Sequence, residues 1–222
     1  MHSGQEKVAG VNKRATILVR GKGIVTARPD TASIVIGAVT EDENLQKAQS
    51  ENASRINAVL TALIQLGLSR EQIQTTDYRI EPYYQFEDGK QEFKGYRVTH
   101  MLTVNVPGPE RAGTVVEYAL NSGANELAGI TFSSSISQQL TLRALTLAMN
   151  DAFSKASAIA NSIGVQIHQV PDEVVEEHVS DLPPLMAMDA STGSVPVEPG
   201  SIKISAAVTV RYSYKKQTRP GT

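Results

Sequence analysis

Residues 138–163 read QQLTLRALTLAMNDAFSKASAIANSI, and this stretch decides the fold. Alanine occupies every fourth position from Ala144 to Ala160. Larger apolar side chains run beside that row at the same interval: Leu145, Met149 and Phe153. Because residues four apart lie one above the other on a helix, the pattern predicts a long helix that packs closely on a β-sheet. We expect the three larger side chains to be buried against the sheet or a neighbouring helix.

A second amphipathic helix is predicted upstream, where apolar residues recur at helical spacing between residue 48 and Gly67. The acidic triplet at residues 41–43 suits the positive end of a helix dipole. It is a poor metal site, because successive helical residues point about 100° apart. Both long helices end in an aliphatic residue followed by glycine, at Gly67 and at Gly164, and glycine suits the left-handed position after a helix.

Alternating apolar residues predict strands around both helices. The order of elements then repeats, so the chain divides into two βαββ units, residues 31–106 and 127–214. A short connecting helix at residues 108–122 joins them. We predict an α+β fold in which the two units form one mixed, largely antiparallel sheet with the two long helices packed on one face.

The two units belong to one predicted domain, residues 14–214, between flexible tails at 1–13 and 215–222. Proline and methionine accumulate without any periodic pattern at residues 181–200. This predicts a long loop that is either mobile or in contact with a partner. Residues 165–179 are predicted to form one strand.

Two short motifs resemble functional sites but have simpler structural explanations. Gly21-Lys-Gly23 resembles part of a phosphate-binding loop, yet the third glycine and the Lys-Ser/Thr ending are missing and no helix follows. We predict a strand with a bulge or bend that the glycines permit. The hydroxyl groups of Ser133-Ser-Ser135 are expected to mark a strand end that leads into a helix cap.

Composition excludes several classes of function. Lys and Arg total 21 against 23 Asp and Glu, giving a net charge of −2, so no nucleic-acid partner is expected. Cysteine is absent, which excludes disulfides and thiolate chemistry. No apolar run is long enough to span a bilayer, and the polar start lacks the apolar segment of a signal peptide. As written, the chain is therefore expected to be cytoplasmic, with no transmembrane segment.

No catalytic, cofactor-binding or metal-binding residue is predicted. The four histidines lack metal-ligand spacing: His2, His100, His168 and His178. His100 lies on the apolar side of its strand, where a hydrogen-bonded, largely buried histidine is expected. His168 and His178 share a face of one strand but lie roughly 30 Å apart. The glutamates at 173, 176 and 177 are expected to be solvated.

Aromatic residues concentrate around a predicted hairpin: Tyr83, Tyr84, Phe86, Phe93 and Tyr96. They either pack on cross-strand neighbours or form an interface with a subunit or another partner. The candidate interface residues are Tyr83, Tyr84, Phe86 and Phe93 from the hairpin and Leu185, Met186 and Met188 from the loop. The alternative hypothesis is a small-molecule-binding protein or an unrecognised hydrolase, with a pocket beneath Tyr83, Tyr96 and His100.

A series of motifs spans roughly residues 14–214 in a fixed order: Gly21-Lys-Gly23, Arg28-Pro29-Asp30, Gln74-Thr-Thr-Asp77, Ile80-Glu-Pro82-Tyr83, Lys94-Gly95-Tyr96, Ser122-Gly-Ala-Asn125, Ile130-Thr-Phe132 and Glu198-Pro-Gly200. Their order and spacing, with the alanine-rich helix, resemble the SIMPL domain family. This is a domain of unknown function, typified by YggE-like proteins and by periplasmic immunogenic proteins of bacteria.

The resemblance implies an α+β fold of βαββ units and self-association into larger homo-oligomers. It also implies a role in stress tolerance, often oxidative, and a periplasmic or other extracytoplasmic location, in contrast to the polar start. The family offers no catalytic residue to transfer and implies no cofactor. The leading hypothesis is thus a non-enzymatic, oligomer-forming protein with a structural or interaction role; any small-molecule ligand is unknown.

Overall fold

The structure is a computed structural model that describes residues 15–87, 89–178 and 198–216. The helices in those residues are α1 (Leu45–Gln65), α2 (Ala112–Asn121) and α3 (Ser137–Ser162). The strands are β1 (Thr16–Ala27), β2 (Thr31–Asp42), β3 (Ile73–Glu87), β4 (Lys90–Pro107), β5 (Glu126–Ser133), β6 (Val165–Ile167), β7 (Glu173–Glu177) and β8 (Ile202–Lys216). The predicted α+β class with antiparallel strand pairing is confirmed.

Two four-stranded sheets replace the single shared sheet expected from the repeat. One has the order β3-β4-β2-β5, and in the other β8 pairs with β1, β6 and β7. The described residues accordingly fall into two compact units. We call them the central unit, residues 26–137 and 198–202, and the terminal unit, residues 15–25, 138–178 and 203–216.

The central unit contains two interleaved crossovers. β2 and β3 are joined through α1, and β4 returns between them; β4 and β5 are joined through α2, with β2 between them. This is the split βαβ arrangement of ferredoxin-like folds. β5 was expected to open the second βαββ unit but pairs with β2, because its apolar residues Leu127, Ile130 and Phe132 pack on the core of the central unit.

Helix α2 is part of that core, although the sequence predicted only a connector. Its inward residues are fully buried: Ala112, Val115, Val116 and Ala119. Asn44 caps the start of helix α1, and its side-chain oxygen accepts a hydrogen bond from the Lys47 amide. The helix ends as predicted before Gly67, which has a φ of +94°. Both helices therefore bury apolar faces against the same sheet.

In the terminal unit, the alanine row of α3 is itself the buried face. Its members from Ala144 to Ala160 are at most 2% exposed. Leu145 and Met149 are only partly buried, and Phe153 is 38% exposed with its ring 6.0 Å from that of Tyr212. The expectation that all three larger residues would be buried is therefore wrong for Phe153. The alanines bring the helix so close to the sheet that the larger row lies at the margin of the contact.

The glycines of β1 explain this close approach. A Cβ atom placed on Gly21 would lie 2.0 Å from the carbonyl oxygen of Ala148, and one on Gly23 would lie 1.9 Å from that of Ala144. β1 continues as a strand through both residues, with buried and exposed positions alternating along it. The glycines admit the backbone of α3.

Residues 165–179 do not form the single strand that was predicted. β6 and β7 both pair with β8, and residues 168–172 between them are irregular around Pro171. The amide of His168 donates to the carbonyl of Ser213, and that of Asp172 donates to the carbonyl of Arg211. The segment therefore stays attached to β8 across the break.

Several predicted segments lie wholly or mostly outside the described residues. They are the N-terminal tail at 1–13, most of the C-terminal tail at 215–222 and most of the loop at 181–200. The first two residues of the predicted C-terminal tail, 215 and 216, belong to β8.

Candidate functional site

The outer edge of the β3–β4 hairpin is the first candidate. β3 forms the end of its sheet and pairs only with β4 among the described strands. Its other edge therefore presents a line of backbone groups without ladder partners in the described chain. Long, exposed edges of this kind serve readily as templates for another strand.

Large side chains alternate along one face of this hairpin. We call the following residues the hairpin row: Tyr78, Ile80, Tyr84, Phe86 and Phe93. All five are exposed, with Phe86 at 77% and Phe93 at 51%. The ring of Phe93 meets Tyr84 and Tyr96 edge-on, at centroid distances of 5.6 and 5.4 Å. Cross-strand packing thus orients these rings without covering them.

Tyr83 does not join the hairpin row. It lies on the opposite face of β3, because successive strand residues point to opposite faces. Its ring lies 4.4 Å from the guanidinium carbon of Arg97, which forms an ion pair with Glu41 at 2.6 Å. Of the predicted interface residues, the structure brings together Tyr84, Phe86 and Phe93 and separates Tyr83 from them. Leu185, Met186 and Met188 lie outside the described residues.

Sequence reasoning overlooked Tyr78 and Ile80 as members of this surface. The signal was present, because alternation at every second residue connects Tyr78 to Phe86 along β3. The cluster of aromatic residues near the hairpin tip obscured the fact that this alternation continues further along β3.

A pocket of about 500 Å³ in the central unit is the second candidate. It lies between α1 and the edge strand β3, with β4 as its floor, and we call it the α1–β3 groove. Its lining residues are Asn57, Leu60, Thr61, Ile64, Arg70, Ile73, Thr75, His100 and Leu102. His100 was predicted for such a pocket, but Tyr83 and Tyr96 do not line this one.

His100 has the hydrogen bond that was predicted for it, but it is not largely buried. It is half-buried, and its Nε2 atom lies 3.0 Å from the hydroxyl oxygen of Thr75. The ring of Tyr78 meets it edge-on at 5.2 Å. Burial lowers the pKa of His100 below its ordinary value, so the imidazole is neutral at pH 7. Its neighbours hold it in place and include no carboxylate.

The serines at the end of β5 serve a structural carboxylate. Asp30 accepts hydrogen bonds from the amide and hydroxyl of Ser135, at 2.8 and 2.7 Å, and from the hydroxyls of Thr31 and Ser134. These bonds, led by the Ser135 hydroxyl, lower the pKa of Asp30. A carboxylate with a lowered pKa is a weak general base, so the arrangement does not activate a serine nucleophile. It fixes the residues that precede α3.

The acidic residues of β7 pair across the sheet with basic ones. Glu173 meets Arg211 at 2.8 Å, and Glu177 pairs with Arg20 and accepts a hydrogen bond from the hydroxyl of Thr209. Within the described residues, no three His, Asp or Glu side chains come together as metal ligands. None of the helices described here has the length and apolarity needed to cross a bilayer.

Comparison with known proteins gives consistent relatives over most of the chain. The 26 kDa periplasmic immunogenic protein of Brucella melitensis is 26% identical, covering 90% of this chain and 85% of that protein. Proteins named uncharacterized protein YggE are 24% identical in Edwardsiella ictaluri, over 96% of this chain and 85% of the relative, and in Escherichia coli, over 76% and 68%.

A solved amidase of the hydantoinase/carbamoylase family from Burkholderia phymatum is 13% identical, over 69% of this chain and 39% of that one. Its TM-score of 0.25 is too low to bear on fold or activity. The SIMPL family, described as a protein of unknown function (DUF541), matches residues 17–212. That match covers most of the sequence, and the chain belongs to the SIMPL family.

Proposed function

We propose that this chain is a non-enzymatic interaction protein that assembles with copies of itself through the hairpin row and the free edge of β3. The observation that carries the proposal is the position of five exposed large side chains beside an edge without a strand partner in the described chain. Exposed apolar surface of this kind is characteristic of protein interaction sites.

A second copy is the occupant that best suits this edge. Two β3 strands can pair antiparallel about a two-fold axis, which supplies partners for the backbone groups of both. The same axis brings the two hairpin rows to one continuous face. Aromatic side chains such as Phe86 and Phe93 are typical of the residues that dominate binding energy in such contacts.

The relatives support an extracytoplasmic setting for the proposed assembly. The Brucella protein is named periplasmic and immunogenic, and we extend that location to this chain as part of the proposal. The family resemblance further favours a role in tolerance of stress, including oxidative stress. In this role the assembly acts as a structural or interaction partner, and no chemical step is assigned to it.

Light scattering on the purified chain tests the proposal. A homo-oligomer gives a solution mass well above the 23.9 kDa of one chain. A strict monomer at micromolar concentration contradicts it. A variant that lacks residues 182–197 tests separately whether the Pro/Met loop contributes. If assembly rests on the hairpin alone, the mass of this variant still exceeds that of a monomer; if the loop is required, it falls to that of one chain.

A further inference from the structure

The α1–β3 groove exists because α1 does not cover the edge strand. α1 packs over β2 and β4, so the space between the helix and β3 stays open above β4. One stripe of α1 forms the wall, with residues spaced three and four apart: Asn57, Leu60, Thr61 and Ile64. A volume of about 500 Å³ is within the range of small-molecule sites.

The lining of this groove carries one positive charge and no negative charge. Arg70 is its only lining residue that is ionised at neutral pH, because His100 is neutral and no Asp or Glu is among the lining residues. Arg70 lies on the short 3₁₀ turn before β3, and its side chain is exposed. Its guanidinium has no ion-pair partner among the described residues, whereas Arg79 on β3 is paired with Asp77 at 2.8 Å.

The rest of the lining mixes apolar and polar side chains. Leu60, Ile64, Ile73 and Leu102 supply the apolar part. The hydroxyl of Thr61 already donates to the carbonyl of Asn57 at 2.8 Å, and that of Thr75 is bonded to His100. A ligand therefore meets apolar side chains, the amide of Asn57 and a single cation.

We propose that the α1–β3 groove binds a small amphipathic monocarboxylate, such as a short fatty acid or a single-ring aryl acid. Its carboxylate pairs with the Arg70 guanidinium, whose planar fork matches the two oxygens. Its apolar body lies against Leu60, Ile64 and Ile73. A multiply charged anion is disfavoured, because the single arginine leaves its second charge without a cationic partner. The inference does not rest on the proposed self-association, although the groove adjoins the same edge strand.

Calorimetric titration with octanoate tests this inference, and octanamide serves as an uncharged probe of equal length. We expect saturable binding of octanoate by the wild type. In Arg70→Gln the affinity falls by at least about tenfold, because a charge-assisted bond is lost. Arg70→Lys keeps the charge and retains an intermediate affinity. Arg79→Gln removes a paired arginine outside the groove and leaves binding unchanged.

Three results would overturn the inference: no saturable heat with millimolar octanoate, equal affinity in Arg70→Gln and the wild type, or equal affinity for octanamide and octanoate. A similar loss in Arg79→Gln would also overturn it, since it would indicate general attraction of anions. Arg70 is exposed, so its variants are expected to fold, and unfolding curves recorded without ligand verify this. Solution mass measured on the same samples keeps the outcome separate from that of the assembly proposal.

Discussion

Gly23 on β1 lies directly against the backbone of Ala144 on α3. A Cβ atom at position 23 would stand 1.9 Å from the Ala144 carbonyl oxygen and 2.6 Å from the amide nitrogen of Ala148. Neither atom belongs to a side chain that can rotate away. The close packing of β1 on α3 in the terminal unit therefore requires that residue 23 has no Cβ atom.

Replacement of this glycine is expected to be costly. Gly23→Ala forces α3 away from β1 and should destabilise the fold by about 3 kcal/mol, the upper part of the range for overpacked cores. Urea unfolding at a fixed protein concentration measures the change. Gly129→Ala is the matched control, because Gly129 also lies in a strand but a Cβ atom there would have no neighbour within 4 Å. Equal stability of the two variants would refute the close-approach explanation.

Asn52 supplies a second specific prediction. Its side-chain amide donates to the carbonyls of Ala38 and Val98, at 2.9 and 3.0 Å, and so joins α1 to neighbouring strands. Asn52→Ala removes both bonds and leaves a small cavity, at an expected cost of about 2 kcal/mol. The residue Ser50, two positions earlier in α1 and exposed, provides the control Ser50→Ala. Thermal unfolding that failed to separate the two variants would argue against a structural role for the amide.

The carboxylate of Asp30 predicts a pH dependence of stability. Its pKa is lowered in the folded state from an ordinary value of 3.8. A lowered folded pKa contributes stability above the unfolded pKa, and this contribution is lost as the pH falls through the folded value. Asp30→Asn should therefore be less stable than the wild type at pH 7, with the difference shrinking below pH 3.8. Unfolding curves across the acidic and neutral range measure it.

Ser135→Ala tests the cause of that pH dependence. The hydroxyl of Ser135 is the largest contributor to the lowered pKa of Asp30, so its removal should weaken the pH dependence while the carboxylate remains. The backbone amide of Ser135 still donates in this variant. An unchanged pH profile would mean that other donors hold the charge.

The proposed self-association predicts a large effect from the hairpin row. Phe86→Ser combined with Phe93→Ser removes two exposed rings, and the solution mass should fall toward that of one chain, with a loss in affinity of at least about a hundredfold. Leu142→Ser on α3 is the control, since Leu142 is 59% exposed. An unchanged mass in the double variant, or an equal fall in the control, would remove the hairpin row from the interface.

Local pattern was sufficient for the helices and for most strands. Alanine at every fourth position predicted α3 to within one residue at each end, because helical periodicity can be read from residues close together in the sequence. The glycine stop after α1 was likewise local. The exposure of the hairpin residues was harder to predict. Alternation could have indicated Tyr78 and Ile80 as members of the hairpin row, but nothing in the sequence shows that β3 is an edge strand.

The sequence by itself determined an α+β chain with two long helices, one of them able to approach a sheet very closely. Only the tertiary structure decided which strand each element meets: that β5 pairs with β2, that Gly21 and Gly23 admit α3, and that Arg70 and His100 line one groove. The physical reason is that periodicity fixes which face of an element is apolar. The partner of that face is set by contacts between residues far apart in the chain.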